Sequence, residues 1–132
     1  MPRVTWPLLR NRPRIQVALV PWFGGRNLVR DLLADTGAGS TRSGFDLLLD
    51  EQDCKSCGGN PATSLQVHGA YAGTFPVYLL QVQIPQLGFN GNVRVIGAPS
   101  VPAAFSGIAA FPFLRRFTYG NFGMADEFGL EM

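Results

Sequence analysis

The chain of 132 residues contains two cysteines, one histidine and only 15% charged residues. Two cysteines are too few for a disulfide framework. A single histidine leaves no convincing Ser-His-Asp or Cys-His arrangement for nucleophilic catalysis. The low charge is set against 46% hydrophobic residues, which excludes a disordered tail. No apolar run approaches the roughly 18 residues that a spanning helix needs. No Gly-rich loop leads into the helix and Lys of a phosphate cradle. A formal net charge of +2 does not announce a nucleic-acid binder. No repeat, low-complexity tract or linker divides the chain, and its length suits one domain spanning 1–132.

Glycine and proline are plentiful. Sixteen Gly and ten Pro argue against a helical bundle and for short strands joined by turns. The expected fold class is therefore all-β with one or two short helices. A chain of this length buries roughly two-thirds of its unfolded surface and builds a core without staples. Charge is unevenly spread. Residues 1–30 carry Arg3, Arg10, Arg12, Arg14, Arg26 and Arg30 and no acid, whereas residues 124–132 carry Asp126, Glu127 and Glu131 and no base. The basic segment reads as a solvated or interface arm. Residues 15–23 follow that basic start as a signal peptide would, but the run is short, includes Gln16 and Pro21, and lacks an A-x-A site. A cytoplasmic location, with no membrane and no nucleic-acid partner, is expected.

Along the chain, residues 1–13 form an arm interrupted by three prolines, extended or loosely held. Ile15, Val17 and Leu19 alternate as in a strand. Trp22 to Arg26 contain Gly24-Gly25 and suit a hairpin turn, with residues 27–34 as the returning strand. Phe45, Leu48, Leu49 and Gln52 stand at helical spacing, so a short helix is expected over 43–53. Residues 64–68 and 74–84 flank Gly69-Ala70-Tyr71-Ala72-Gly73 and make a long hairpin. A turn over Pro85 to Gly91 and a strand over 92–97 follow. Residues 106–117 suit a buried strand and then a short helix, with Pro112 in its first turn. In residues 126–132, Phe128, Leu130 and Met132 fall on one side, which suits a terminal strand whose edge wants a partner. Trp6 and Trp22 are expected to be packing residues.

The informative segment is Leu32-Leu33-Ala34-Asp35-Thr36-Gly37-Ala38. An Asp-Thr-Gly tripeptide alone can be no more than a turn. Here an apolar strand carries the aspartate toward the interior, where a carboxylate is costly unless hydrogen-bonded. Thr36 offers a hydroxyl, and Gly37 lets another backbone come close.

On these residues the sequence resembles the retropepsin-like aspartic proteases, the single-lobed homodimeric form. The matching order is a hairpin over 14–34, then Asp35 to Ala38, the Gly-bracketed hairpin 64–84, Ile108-Ala109-Ala110 before Phe113-Leu114-Arg115-Arg116, and a last strand over 126–132. The resemblance implies a peptidase whose catalytic residue is Asp35, supported by Thr36, Gly37 and Ala38. Residues 69–73 (Gly69, Ala70, Tyr71, Ala72, Gly73) would be the tip of a flap that closes over an extended peptide. The chain carries one Asp-Thr-Gly, so two chains would have to meet at Asp35 about a twofold axis. Two close carboxylates sharing one proton can then act as both base and acid on a water. Thr36 would lock the two loops together, and Gly37 would offer its carbonyl to substrate. The dimer would also be held by Phe128, Leu130 and Met132, with the acidic C-terminal strand paired to the partner's basic N-terminal segment. No metal or other cofactor is implied.

The sequence departs from the family pattern where Ala110 replaces a usual Gly and where Phe111-Pro112 replaces a polar pair. A catalytically silent, peptide-binding dimer of the same fold is the alternative that Ala110 favours. Cys54 and Cys57 form one C-x-x-C. That spacing suits zinc, a redox pair or an exposed loop without a role, and His68 is the only histidine that could join it. His68 is expected at the surface, at the base of the flap.

Overall fold

The computed structural model describes residues 1–40 and 43–132. In chain order the strands are β1 (Arg3–Pro7), β2 (Arg14–Leu19), β3 (Leu28–Asp35) and β4 (Leu47–Asp50). After helix α1 (Glu51–Gly58) come β5 (Thr63–Val67), β6 (Gly73–Ile84), β7 (Phe89–Ala98) and β8 (Gly107–Ala110). Helix α2 (Phe111–Leu114), β9 (Thr118–Gly120) and β10 (Glu127–Glu131) complete the chain. Six strands, in the order β2-β3-β8-β4-β7-β6, close into a barrel when β6 returns to β2. The all-β expectation holds. β3 runs parallel to β8, and β4 parallel to β7, while the other barrel pairs are antiparallel.

The central strands are apolar on both faces because each face meets a core. Leu32, Ala34, Leu47, Leu49 and Ala109 enter one cluster with Ile15, Val17, Leu80 and Val95. The residues between them, Leu33, Leu48, Ile108 and Ala110, enter a second cluster with Val77, Ile96 and Phe105. A strand covered on both faces loses the polar alternation that marks a half-exposed one. That explains the one misplaced element. The triplet Leu47-Leu48-Leu49 is a buried strand, and the helix begins only at Glu51. Asp50 caps it, accepting the Gln52 N–H at 2.9 Å, and Glu51 and Asp53 occupy the first turn, where the helix dipole favours acids. Cys54 and Cys57 therefore lie on α1 and are buried, which corrects the exposed-loop reading.

Close strand contact occurs at Gly107, where a side chain would run into the Leu48 carbonyl and the Leu49 backbone. The next turn of chain begins α2, with Pro112 in its first turn as expected. Trp6 is buried, but Trp22 is exposed on the β2–β3 turn beside Phe23, a correction to its reading as a packing residue.

The C-terminal strand also requires correction. β10 is the middle strand of a three-stranded sheet, paired to β1 on one side and β9 on the other within the same chain. Leu130 is fully buried, Phe128 packs against the core beside Tyr119, and only Met132 remains substantially exposed. The opposite charges of the two ends meet in the chain itself, with the Arg3 guanidinium donating to Glu131 at 2.8 Å. β10 thus offers no free edge to a partner. No helix among the described residues is long and apolar enough to cross a membrane.

Candidate active site

Asp35 is the last residue of β3, opposite Ala110 in the parallel β3–β8 ladder. Past Asp35 the chain turns tightly. The Ala38 N–H donates to the Asp35 carbonyl at 3.1 Å, and the Gly37 N–H donates to Asp35 Oδ1 at 3.0 Å. A Cβ at Gly37 would lie 3.3 Å from that same oxygen and crowd it. The Ala38 carbonyl accepts the Phe111 N–H at 2.8 Å, which ties the turn to the start of α2. Ala38 is buried, whereas Thr36 and Gly37 are exposed. Ala110 is fully buried, and its methyl belongs to the second core.

The hairpin of β5 and β6 folds over this turn. Its five paired positions lead to a 3₁₀ turn at Gly69–Tyr71, with Gly69 in the left-handed region and the Ala72 N–H bonded back to the Gly69 carbonyl. Ala72 and Gly73 are exposed, and the side chain of Ala70 lies outside the described set. Tyr71 reaches down from the tip, and its hydroxyl donates to Asp35 Oδ2 at 2.7 Å. Burial pushes the Tyr71 phenol up to about 12, and its bond to Asp35 and the charge there act in the same direction. The Arg12 guanidinium opposes this. Arg12 sits in a tight turn closed by Leu9, 5.8 Å from the Phe105 ring.

Between the Asp35 turn and the hairpin lies a cleft of about 520 Å³. Asp35 and Gly37 form part of its floor, and Leu65, Val67 and Tyr71 line it from the hairpin. Ser43, Gly44 and Phe45 form another wall. Asp35 supplies the only carboxylate among the described lining residues. The apolar lining suits extended chain with side chains on alternate sides. β5 faces this space with an outer edge unpaired in the sheet.

The structure thus joins Asp35, Gly37, Ala38, Gly69 and Tyr71 around one space and leaves Thr36 outside it. Phe128 and Leu130 are on β10 in the other sheet, Met132 follows directly after it, and none of the three is among the described residues that line the cleft. Sequence reasoning missed Phe45, Leu65 and Val67. The alternation of Leu65 and Val67 with Ser64 and Gln66 was the available signal. It also misplaced His68, which is exposed as expected but stands at the tip end of the hairpin and lines the cleft.

Cys54 and Cys57 lie elsewhere. Burial pushes the Cys54 thiol up to about 12, with the acids Asp53, Asp50 and Glu51 adding to the effect. Burial also raises Cys57, assisted by Asp53 and opposed by Arg30. Such thiols are poor nucleophiles and poor metal ligands. Among the described residues, no three His, Cys, Asp or Glu side chains are placed to hold a metal ion. Comparison with protein-family models, curated proteins and solved structures finds no match to this chain.

Proposed function

We propose that this chain is an aspartic endopeptidase that works as a homodimer, with Asp35 of two chains facing each other across a twofold axis. The observation that carries the reading is Asp35 on the floor of a cleft, beneath a hairpin whose tip reaches its carboxylate. The resemblance of Asp35-Thr36-Gly37-Ala38 to retropepsin-like proteases adds to it. Peptide hydrolysis without a metal or covalent intermediate needs a base for the water and an acid for the carbonyl oxygen. Two carboxylates sharing a proton supply both. Exposed Thr36 and Gly37 leave the Asp35 turn open to a second copy. An extended peptide would lie along β5 as an added strand, its side chains against Phe45, Leu65 and Val67.

Asp35→Asn tests the reading. An amide cannot take the water's proton, so cleavage of a mixed peptide library should fall by roughly 10²–10⁴-fold or more while the fold is kept. Wild-type cleavage by the purified variant would overturn the assignment. Sedimentation of the wild-type protein should show a dimer under the conditions of cleavage.

The second reading is a peptide-binding module without hydrolysis. It is favoured by Asp35 being the one carboxylate among the described lining residues and by β10 being enclosed within its own chain. On that reading labelled peptides bind and remain whole at acid and neutral pH, and Asp35→Asn binds them as wild type does.

A further inference from the structure

Asp35 has two carboxylate oxygens, and both are occupied within one chain. Oδ1 accepts the Gly37 N–H, a bond internal to the turn. Oδ2 accepts the Tyr71 hydroxyl at 2.7 Å from a residue 36 positions along the chain. The first donor is fixed by backbone geometry. The second is carried on the tip of a hairpin whose β5 strand has, among the described residues, no neighbour beyond β6. His68, Gly69, Ala72 and Gly73 around it are exposed. Segments with so little buried contact open at low free-energy cost. The Tyr71 ring, by contrast, packs against the second core cluster. One apolar seat and one charge-assisted hydrogen bond therefore hold the tip down.

We propose that Tyr71 is a latch: its hydroxyl holds the flap on Asp35 and has to leave Oδ2 before a water, a peptide or a second Asp35 can use that oxygen. The consequence for peptides rests on the protease reading, whereas the latch is a property of one chain. An incoming extended peptide replaces the ring contacts, and a water brought between the carboxylates replaces the phenol as donor to Oδ2. Entry and unlatching are then a single exchange of partners, and the free protein spends most of its time shut.

The test uses Tyr71→Phe, which keeps the ring and removes the donor, beside Asp35→Asn, which keeps the phenol and removes the charge. Amide hydrogen exchange over residues 68–73 should quicken about tenfold in Tyr71→Phe, the equivalent of one partly shielded hydrogen bond to a charged group. Asp35→Asn should quicken the same amides, and the double variant should add little, because both changes cut one bond. Unchanged exchange in Tyr71→Phe, or fully additive effects, would overturn the latch. Association of a statine-containing peptide should quicken by a similar factor in Tyr71→Phe. An unchanged association rate with faster exchange would overturn the gating of the cleft. A wild-type protein that cleaves no peptide, with exchange still quickened in Tyr71→Phe, sinks the protease reading and upholds the latch.

Discussion

Asp35 and Asp46 stand at opposite extremes of what a carboxylate does in this molecule. Asp46 is 8% exposed and saturated. Its Oδ2 accepts the Arg94 N–H at 3.1 Å, and its Oδ1 accepts from the Arg116 guanidinium at 2.9 Å. Its own N–H donates to the Arg94 carbonyl, and its carbonyl accepts the Ala110 N–H. Asp46 thus binds the entry of β4 to β7, β8 and the end of α2. Asp35, at the end of β3, faces a cleft, and one of its partners is on a hairpin tip. On the protease reading, the difference teaches that burial alone does not mark a working acid. A carboxylate is available for chemistry when one of its partners can be exchanged.

The largest expected effect would break the comparison on the functional side. On the protease reading Asp35→Asn should remove cleavage yet move the urea midpoint little, because the amide keeps one oxygen for the Gly37 N–H and the Tyr71 hydroxyl it releases, on the exposed hairpin tip, can turn to water. Asp46→Ala should do the reverse and lower stability by about 1–3 kcal/mol, since it removes the charged acceptor of the Arg116 guanidinium and of the part-buried Arg94 N–H. The half-exposed Arg116 can turn to water, which keeps the cost toward the low end. A loss under about 0.5 kcal/mol in equilibrium urea unfolding would place Asp46 among ordinary surface acids.

A smaller effect concerns the buried thiol. The folded protein keeps the Cys54 proton up to about pH 12, whereas the unfolded chain releases it near the ordinary value of 9.0. Above pH 9 the unfolded state therefore binds fewer protons, and stability falls as pH rises toward 12. The loss at pH 10 is on the order of 1 kcal/mol. Tyr71, raised in the same direction from 10.0, adds to the decline at higher pH. Cys54→Ala should flatten the alkaline limb of thermal unfolding between pH 9 and 10. An equally steep limb in that variant would assign the decline to other groups.

The smallest effect links the two aspartates. Ala110 lies beside Asp35 in the ladder and donates its N–H to the Asp46 carbonyl. Ala110→Gly should cost about 0.5–1 kcal/mol through backbone freedom and a lost core methyl while leaving cleavage intact. A folded variant with most of its turnover lost would show that the Ala110 methyl positions Asp35.

The barrel was legible where strands are half-exposed. Ile15, Val17 and Leu19 declare β2 by alternation, and Gly24-Gly25 and Gly69 to Gly73 mark the two hairpin tips. Asp35 and Tyr71 were also legible, as an acid ending an apolar run and an aromatic between turn glycines. Leu47-Leu48-Leu49 was not, because a strand buried on both faces and a helix segment share the same apolar run. Nor could the partner of β10 be found from its own residues. Alternation of Phe128 and Leu130 shows that a face is covered but not what pairs with the edge: β1 lies at the other end of the chain, and only the folded backbone reveals that the pairing strand is the chain's own.

Barrel closure has a consequence for how the molecule assembles and comes apart. β6 and β7 join over eight residue pairs, next to each other along the chain. The seam that turns the sheet into a barrel, β2 to β6, is made by two, Ala18 with Gln83 and Leu19 with Val82. A contact between distant segments is entropically expensive and is rewarded late, after local hairpins have formed. The β6–β7 and β2–β3 hairpins should therefore be early structures and the seam a late one. By the same logic the seam is the first place for the barrel to part, and amides of Ala18 to Val20 should lose protection before those of Val93 to Ile96.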